Sequence, residues 1–497
     1  MAGSIGPAVG LVDPYKLFSL FFSENELEIL AKNTNLYASV HDAGIRSNSH
    51  PFVRKWHPTS PQELRVFLAI VIHMGLWKGD SPKEFWRRLG TQGQGVGPMD
   101  WMGYVRFQQI KRYLHISEPQ DTPISPKTWW KKLEPLNCNI RTRAKECFLP
   151  STNVSVDEMM IGFLGHSAHT IKMPNKPIGL GYKILALCDA GYTYDWELTS
   201  RVEGFSTAVP QSKPYPLSPT SSAVLQMLIA LPYRTHFFTV YMDNHFSNVQ
   251  LFARLLDYGI GACGTVRCSS KDFPSSLNIS KDKAVGILEW NFATGVVVWE
   301  IHETRQKKKN SCGYVPQATS WGIPPVMAFL WQDNSTVHLL STVHNLDLTT
   351  SWVEKLRRKP RNTSTNAVAA QKAFAADEHR KLLAIPKIDD DYNQYMGGVD
   401  IADQLRSYFT TQRIARRNWQ PFFYWLLDTA IINSYRLART NGSKASHRKF
   451  RSSLIASLLT MAQKPTSTPQ TSPHKLKFNF IYKRRYQLRL RNPVRHT

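Results

Sequence analysis

Paired cysteines are missing from this sequence. Its six cysteines (Cys138, Cys147, Cys188, Cys263, Cys268 and Cys312) are scattered without one CxxC spacing, which argues against both a disulfide framework and a zinc module. They are expected as reduced core residues. Acidic residues are in deficit, 37 Asp and Glu against 62 Lys and Arg, leaving a formal net charge of +25. Long apolar runs are absent too: none approaches the ~18 residues of a membrane span. The start, MAGSIGPAVGLVDPYKLF, lacks the basic region and apolar core of a secretory signal. A soluble intracellular protein without a membrane partner is expected, and no internal repeat is found.

What is present fits a folded, multi-unit protein. The 497 residues exceed the ~100 to 200 usual for one domain, and 42% hydrophobic content with 14 Trp suits globular packing. The cationic surplus favours a polyanionic partner.

Residues 16 to about 150 read as helical. Ser23/Glu26 and Ser60/Glu63 have capping-box spacing, the second with Pro61 at the first helical position. Leu64, Phe67, Leu68, Val71 and Ile72 then form one apolar stripe. Near 150 the texture turns to strands: NVSVDEMM, YKILALCDA and TYDWEL. TAVPQSKPYPLSPTSS, 207 to 222, reads as a surface loop before the helical AVLQMLIAL. HFFTVYMD, 236 to 243, reads as an apolar strand. A helix capped by Ser247 and ended by Gly259 follows, and then the strand GIGACGTV, which makes a βαβ unit. From 268 to 386 hairpins dominate, with basic runs RQKKK and KLRRKPR in their connections that suit phosphates or merely solvate well. Helix returns over 396 to 461, and AQKPTSTPQTSP reads as a linker to a 23-residue tail with eight Lys/Arg and no Asp/Glu.

Four aspartates stand out against this layout. Asp157 is placed at the end of the first strand and Asp243 at the carboxyl edge of the βαβ strand, where ligand groups gather. Asp400 and Asp403 share a helix face at i, i+3. Carboxylates converging from separate elements are what two divalent cations, roughly 3.5 to 4 Å apart, need for phosphodiester chemistry. Taken singly, an Asp in a basic protein is more often a surface charge or a cap. Gly397 and Gly398 permit close backbone approach before Asp400, as a DNA site or a tight turn would use.

SVDEMMIGFLG with MPNKPIGLGYK, TVYMDNHFSNVQLFARLL, and YNQYMGGVDIADQLRSY resemble, in that order, the three acidic blocks of the piggyBac transposases. FFSENELEILAKNTNLYA, ELRVFLAIVIHMGL and RRNWQPFFYWLLDTAIINSY are similar to the family's flanking helical parts, so the resemblance covers most of the chain. It implies an α/β fold: an RNase H-like catalytic core with a β-rich insertion, flanked by a split α-helical dimerisation and DNA-binding domain. On that layout 1–150 is the N-terminal helical part, 151–267 the first part of the core, and 268–386 the insertion. Residues 387–405 hold the last acidic helix, 406–461 the C-terminal helical part, and 462–497 the linker and basic tail.

The resemblance further implies that Asp157, Asp243, Asp400 and Asp403 are catalytic and bind two Mg2+ (or Mn2+) ions. The implied reaction is strand cleavage, hairpin formation and joining at TTAA targets, by a nuclear homodimer acting on double-stranded DNA at its transposon ends. A host-adopted, catalytically silent DNA-binding protein that keeps the fold is the alternative. Lys176, Lys183 and Arg267 suit phosphates near the metals, or are ordinary surface charges. Arg413, Arg416, Arg417 and Trp419 suit a DNA backbone with a stacked base, though Trp419 suits a core equally. Asn244 and His245 flank Asp243, and a lone His there is more often structural. The departure from the family is terminal: with no Cys after Cys312, its C-terminal zinc module is not expected.

Overall fold

Local capping starts the N-terminal helices where the spacing predicts. The computed structural model describes residues 13–41, 55–77, 97–119, 126–205 except 175 and 203, 217–270, 326–332, 336–344, 351–361 and 374–463. Short pieces at 79, 81–86, 272–274, 277, 297–300 and 371 are also described. Ser23 Oγ accepts from Glu26 N at 3.3 Å to open Glu24–Val40, and Ser60 Oγ accepts from Glu63 N at 3.2 Å to open Pro61–Leu76. The stripe on the latter helix is buried, but so are Ala69, Ile70 and Met74. The helix is covered on more than one side because the C-terminal helix His447–Ala462 packs against it. Pro14–Phe18 likewise packs on Gln420–Thr440 and on His447–Ala462, so the first and last described helices share one helical layer.

The strands are β1 (Asn153–Gly162), β2 (Ile171–Lys172), β3 (Leu180–Asp189), β4 (Tyr192–Ser200), β5 (Gly204–Phe205) and β6 (Thr239–Met242). They continue with β7 (Gly261–Thr265), β8 (Val297–Glu300), β9 (Met327–Gln332), β10 (Thr336–Ser341), β11 (Trp352–Arg358) and β12 (Arg380–Pro386). One sheet runs β5-β4-β3-β1-β6-β7-β10-β9-β8, with β2 also on β3. β1, β3 and β4 are antiparallel, whereas β6 and β7 run parallel to β1. The parallel pair is the βαβ unit, its helix being Val249–Asp257. β9 and β10, part of the hairpin-rich stretch, extend this sheet through β10 on β7, while β11 and β12 form a separate two-stranded ribbon.

Buried ion pairs and hydrogen bonds join the helices to the sheet. Every residue of β4 is buried, including Asp195 and Glu197. Arg141, from Leu136–Glu146, pairs with both carboxylates, and Lys145 reaches Asp195 at 3.3 Å. Asn433, inside Gln420–Thr440, accepts from Thr193 N at 2.9 Å and donates to Thr193 O at 2.8 Å. Among the described residues, no helix is long and apolar enough to cross a membrane.

Several local expectations need correction. Asp157 lies mid-strand, because β1 runs on to Gly162 through its pairing with β3. The cap of Val249–Asp257 is Asn248, whose side chain accepts from Leu251 N at 2.9 Å; Ser247 Oγ donates instead to Met242 O. Gly259 does close the helix, at φ +70°. The helix after the Pro-rich stretch starts earlier than expected, at Pro219, with Ser218 as cap. The run Lys355–Arg358 is part of β11 rather than a connection. The loop expected over 207 to 216, the run RQKKK, the strand ILEWNF and the basic tail lie outside the described residues.

Candidate active site

The parallel pairing of β1 with β6 ends at Val156 opposite Met242, so the next residue on each strand is an aspartate. Asp157 and Asp243 therefore stand side by side at the same level of the sheet. β6 stops at Met242 because Asp243 turns the chain, its Oδ1 accepting from His245 N at 2.8 Å. Asp157 is 7% exposed. Burial first, then repulsion from Glu158 and Asp243, pushes its carboxyl up to about 7, against the hydrogen bond it accepts from Glu158 N.

The second pair is brought up by the helix Gly398–Tyr408, which lies against β1 and β3. A Cβ on Gly398 would meet Ser155 Oγ at 2.5 Å and Cys188 O at 3.3 Å. The close approach that Gly398 permits is thus to the protein's own sheet rather than to DNA. Gly397, by contrast, has nothing within 4 Å of that position. Asp400 is exposed in the first turn. Asp403, one turn on, accepts from Arg406 at 2.6 Å, and Arg406 also donates to Met160 O at 3.3 Å. Burial raises Asp403, with Arg406 opposing.

A carboxylate not singled out in the sequence sits among the bases. Glu158, with its side chain 8% exposed, pairs with Lys176 at 3.3 Å and Lys183 at 3.4 Å. Burial works against its charge, but Lys183 and Lys176 outweigh burial and hold it below the usual range. Lys176 is raised despite burial, because Glu158, Asp157 and Asp400 all favour its charge. Lys183 Nζ lies 3.4 Å from His245 Nε2, and His245 is lowered by burial and by Lys183. Arg267 is exposed and donates to Asn244 Oδ1 at 3.4 Å. The signal for Glu158 was its place beside Asp157, yet only folding brings the two lysines to it.

Lys176 and Lys183 thus meet at Glu158, next to Asp157, and Arg267 reaches Asn244, next to Asp243, while the other four proposed DNA contacts lie elsewhere. Trp419 is 3% exposed and packs edge-on against His115, so it has no free face on which a base could stack. Arg417 lies over the Tyr37 ring at 4.6 Å and donates to Leu114 O. Arg413 is half-buried, and its Nε and Nη2 have no hydrogen-bond partner among the described residues. Arg416 is exposed.

The site's chemistry suits a hard divalent cation, since the aspartates offer only carboxylate oxygens and the Asp157 and Asp243 charges repel. Among the described residues, no three of His, Cys, Asp and Glu gather closely enough to enclose a metal ion.

A mixed sheet with Asp157 on a central strand and Asp243 just past the next, packed by helices from both sides of it in the sequence, defines a class that comparison with known proteins identifies. A family model described as Transposase IS4 matches residues 13–435. Human PiggyBac transposable element-derived protein 3 is 24% identical over 443 residues, spanning 87% of this chain and 62% of that protein. Human PiggyBac transposable element-derived protein 2 is 23% identical over 435 residues, 86% of this chain and 62% of that one. The solved piggyBac transposase synaptic complex with hairpin DNA superposes with a TM-score of 0.64 at 21% identity, covering 95% of this chain and 89% of that one. The chain belongs to the piggyBac-type transposase family. It spans 62% of the length of these human relatives.

Proposed function

We propose that this protein is a DNA transposase that cuts transposon ends, closes them as hairpins and joins them at TTAA targets, acting as a homodimer in the nucleus. The strand order, three antiparallel strands followed by two parallel ones, supports reading the core as RNase H-like. The observation that carries the proposal is the register of Asp157 beside Asp243, with the helix bearing Asp400 and Asp403 packed on the same strand. The +25 charge supports duplex DNA as partner.

In this reading Asp157, Asp243, Asp400 and Asp403 would be the ligands of two Mg2+ or Mn2+ ions, although without ions no three of them stand close enough to enclose one, and Arg406 holds Asp403. Bound there, such ions supply the charge that makes water or a 3′-hydroxyl a competent nucleophile and stabilises the leaving oxygen. The chain's own part is positional. Lys176 and Lys183, held by Glu158, would offset the charge of a backbone phosphate beside the aspartates. The first step forms a bond from water oxygen to phosphorus and releases a 3′-hydroxyl. That hydroxyl then attacks a phosphorus of the opposite strand, and the displaced strand leaves with its own 3′-hydroxyl.

One observation favours a second reading, a host-adopted and catalytically silent DNA-binding protein: the Asp403 carboxylate is already engaged by Arg406 at 2.6 Å. Incubating the protein with DNA from both flanks of its own gene, with Mg2+ or EDTA and beside Asp243→Asn, separates the two. Metal-dependent hairpin ends bordered by TTAA, absent in the variant, establish the transposase; binding without cleavage selects the silent protein.

A further inference from the structure

The two faces of the β11–β12 ribbon meet different surroundings. Alternation along β12 turns Leu383 and Ile385 toward Trp331 of β9 and Val337 of β10, where they form a small apolar cluster that anchors the ribbon. The neighbouring Leu382 therefore faces outward, and its register partner is Leu356. These leucines are 60% and 57% exposed. The next pair on the same face is Arg358 opposite Arg380, both exposed and without an ion-pair partner among the described residues. Lys355 points away from this face and pairs at 2.6 Å with Asp390 of the helix Lys387–Tyr395.

Cations alone would protect a free strand edge from pairing with other chains. A leucine pair at the centre of the outer face works against that purpose, since two large side chains directly opposite make an apolar step in water. The face runs from exposed Glu354 opposite Ala384, through the leucine pair, to the arginine pair, and an apolar centre with a cationic end matches duplex DNA, which offers sugars and base edges beside a phosphate row. A two-stranded ribbon is also an element that the major groove admits.

We propose that this ribbon is a second DNA-contact surface, laying Leu356 and Leu382 into the major groove while Arg358 and Arg380 take phosphates. It rests on the DNA-binding part of the function proposed above and not on strand cleavage. β12 runs directly into Lys387–Tyr395, which packs on β1, the strand of Asp157, and on β7, with Tyr392 OH 3.2 Å from Thr265 Oγ1. DNA held by the ribbon is thereby coupled to the aspartates through a single helix.

The test uses the full chain, with Leu356→Ser/Leu382→Ser and Arg358→Gln/Arg380→Gln, titrated against a random-sequence duplex over a salt series. Removing the arginine pair should reduce the slope of log affinity against log salt by about 2, roughly 0.9 per phosphate contact. Removing the leucine pair should weaken binding about tenfold at unchanged slope, a loss of ~1.4 kcal/mol, with melting temperatures of both variants unchanged. Wild-type affinity and slope in both variants overturn the ribbon alone. Absence of duplex binding by the wild type overturns the ribbon and the DNA-binding reading together. Loss of self-association in the leucine variant, with DNA binding intact, assigns the face to a second copy of the chain and overturns the proposal.

Discussion

Asp157 and Asp243 each follow one member of the Val156–Met242 pair on adjacent parallel strands. Two carboxylates at one level of a sheet, one of them buried, store repulsion that the fold must carry until a cation or proton relieves it. This bears directly on pH. Asp157 is raised from 3.8 to about 7, so the folded state holds a proton that the unfolded chain has released. Its contribution to stability is present below the unfolded value and is lost as pH rises through about 7. In EDTA, Asp157→Asn should therefore melt higher than wild type at pH 8, with the difference vanishing near pH 4. Each unit of separation is worth roughly 1.4 kcal/mol. Added Mg2+ should stabilise wild type at pH 8 and leave the variant unmoved. Equal melting curves at both pH values would count against the strained pair.

Arg406 orients Asp403 and is itself held by Met160 O. Arg406→Gln should reduce hairpin formation at least ~10-fold, the scale of one misplaced charged group, and should raise the Mn2+ concentration needed for half-maximal rate. Duplex affinity should stay within about twofold, on the order of 0.4 kcal/mol. An unchanged metal midpoint would leave Arg406 a merely structural residue.

Gly398 lets the acidic helix settle on the sheet, and an added Cβ would meet Ser155 Oγ at 2.5 Å. Gly398→Ala should cost roughly 1 to 3 kcal/mol by overpacking. Ser155→Ala in the same chain should recover part of that loss but not all, since Ala190 N at 3.2 Å and Cys188 O at 3.3 Å remain. Denaturant titration of the single and double variants measures both effects.

The helical layer has its own buried pair, Asp428 with Arg451, 1% and 0% exposed and 3.2 Å apart. Asp428 also accepts from Thr411 N at 3.0 Å, and Arg451 donates to Phe409 O at 2.8 Å, so the pair ties His447–Ala462 to the segment after the acidic helix. Asp428→Asn should destabilise by about 3 to 5 kcal/mol, because it leaves a buried guanidinium without its counter-charge. Asp428→Leu with Arg451→Met should cost less than the single change. A single variant as stable as wild type would refute the pairing.

Much of this protein was legible in the sequence where the cause is local. Ser23 and Ser60 start helices through contacts three residues away, Pro61 favours the second start by its fixed backbone angle, Gly259 stops one through a backbone angle, and the charge surplus is a property of composition. The acidic residues could be singled out because each sits in a distinctive local string. What required the tertiary structure is everything set by pairing between distant segments. The level of Asp157 beside Asp243 depends on strand register, where a one-residue slip would turn one carboxylate to the opposite face. Glu158 acquires its lysines only when β1, β3 and the 171–179 turn meet. Trp419 reads as a stacking platform or a core residue with equal ease until His115 covers it, and Gly398 reads as open to a ligand until Ser155 and Cys188 occupy the space. A sequence can specify which groups exist and how each bends its own chain; which groups become neighbours is decided by packing among elements that lie far apart along it.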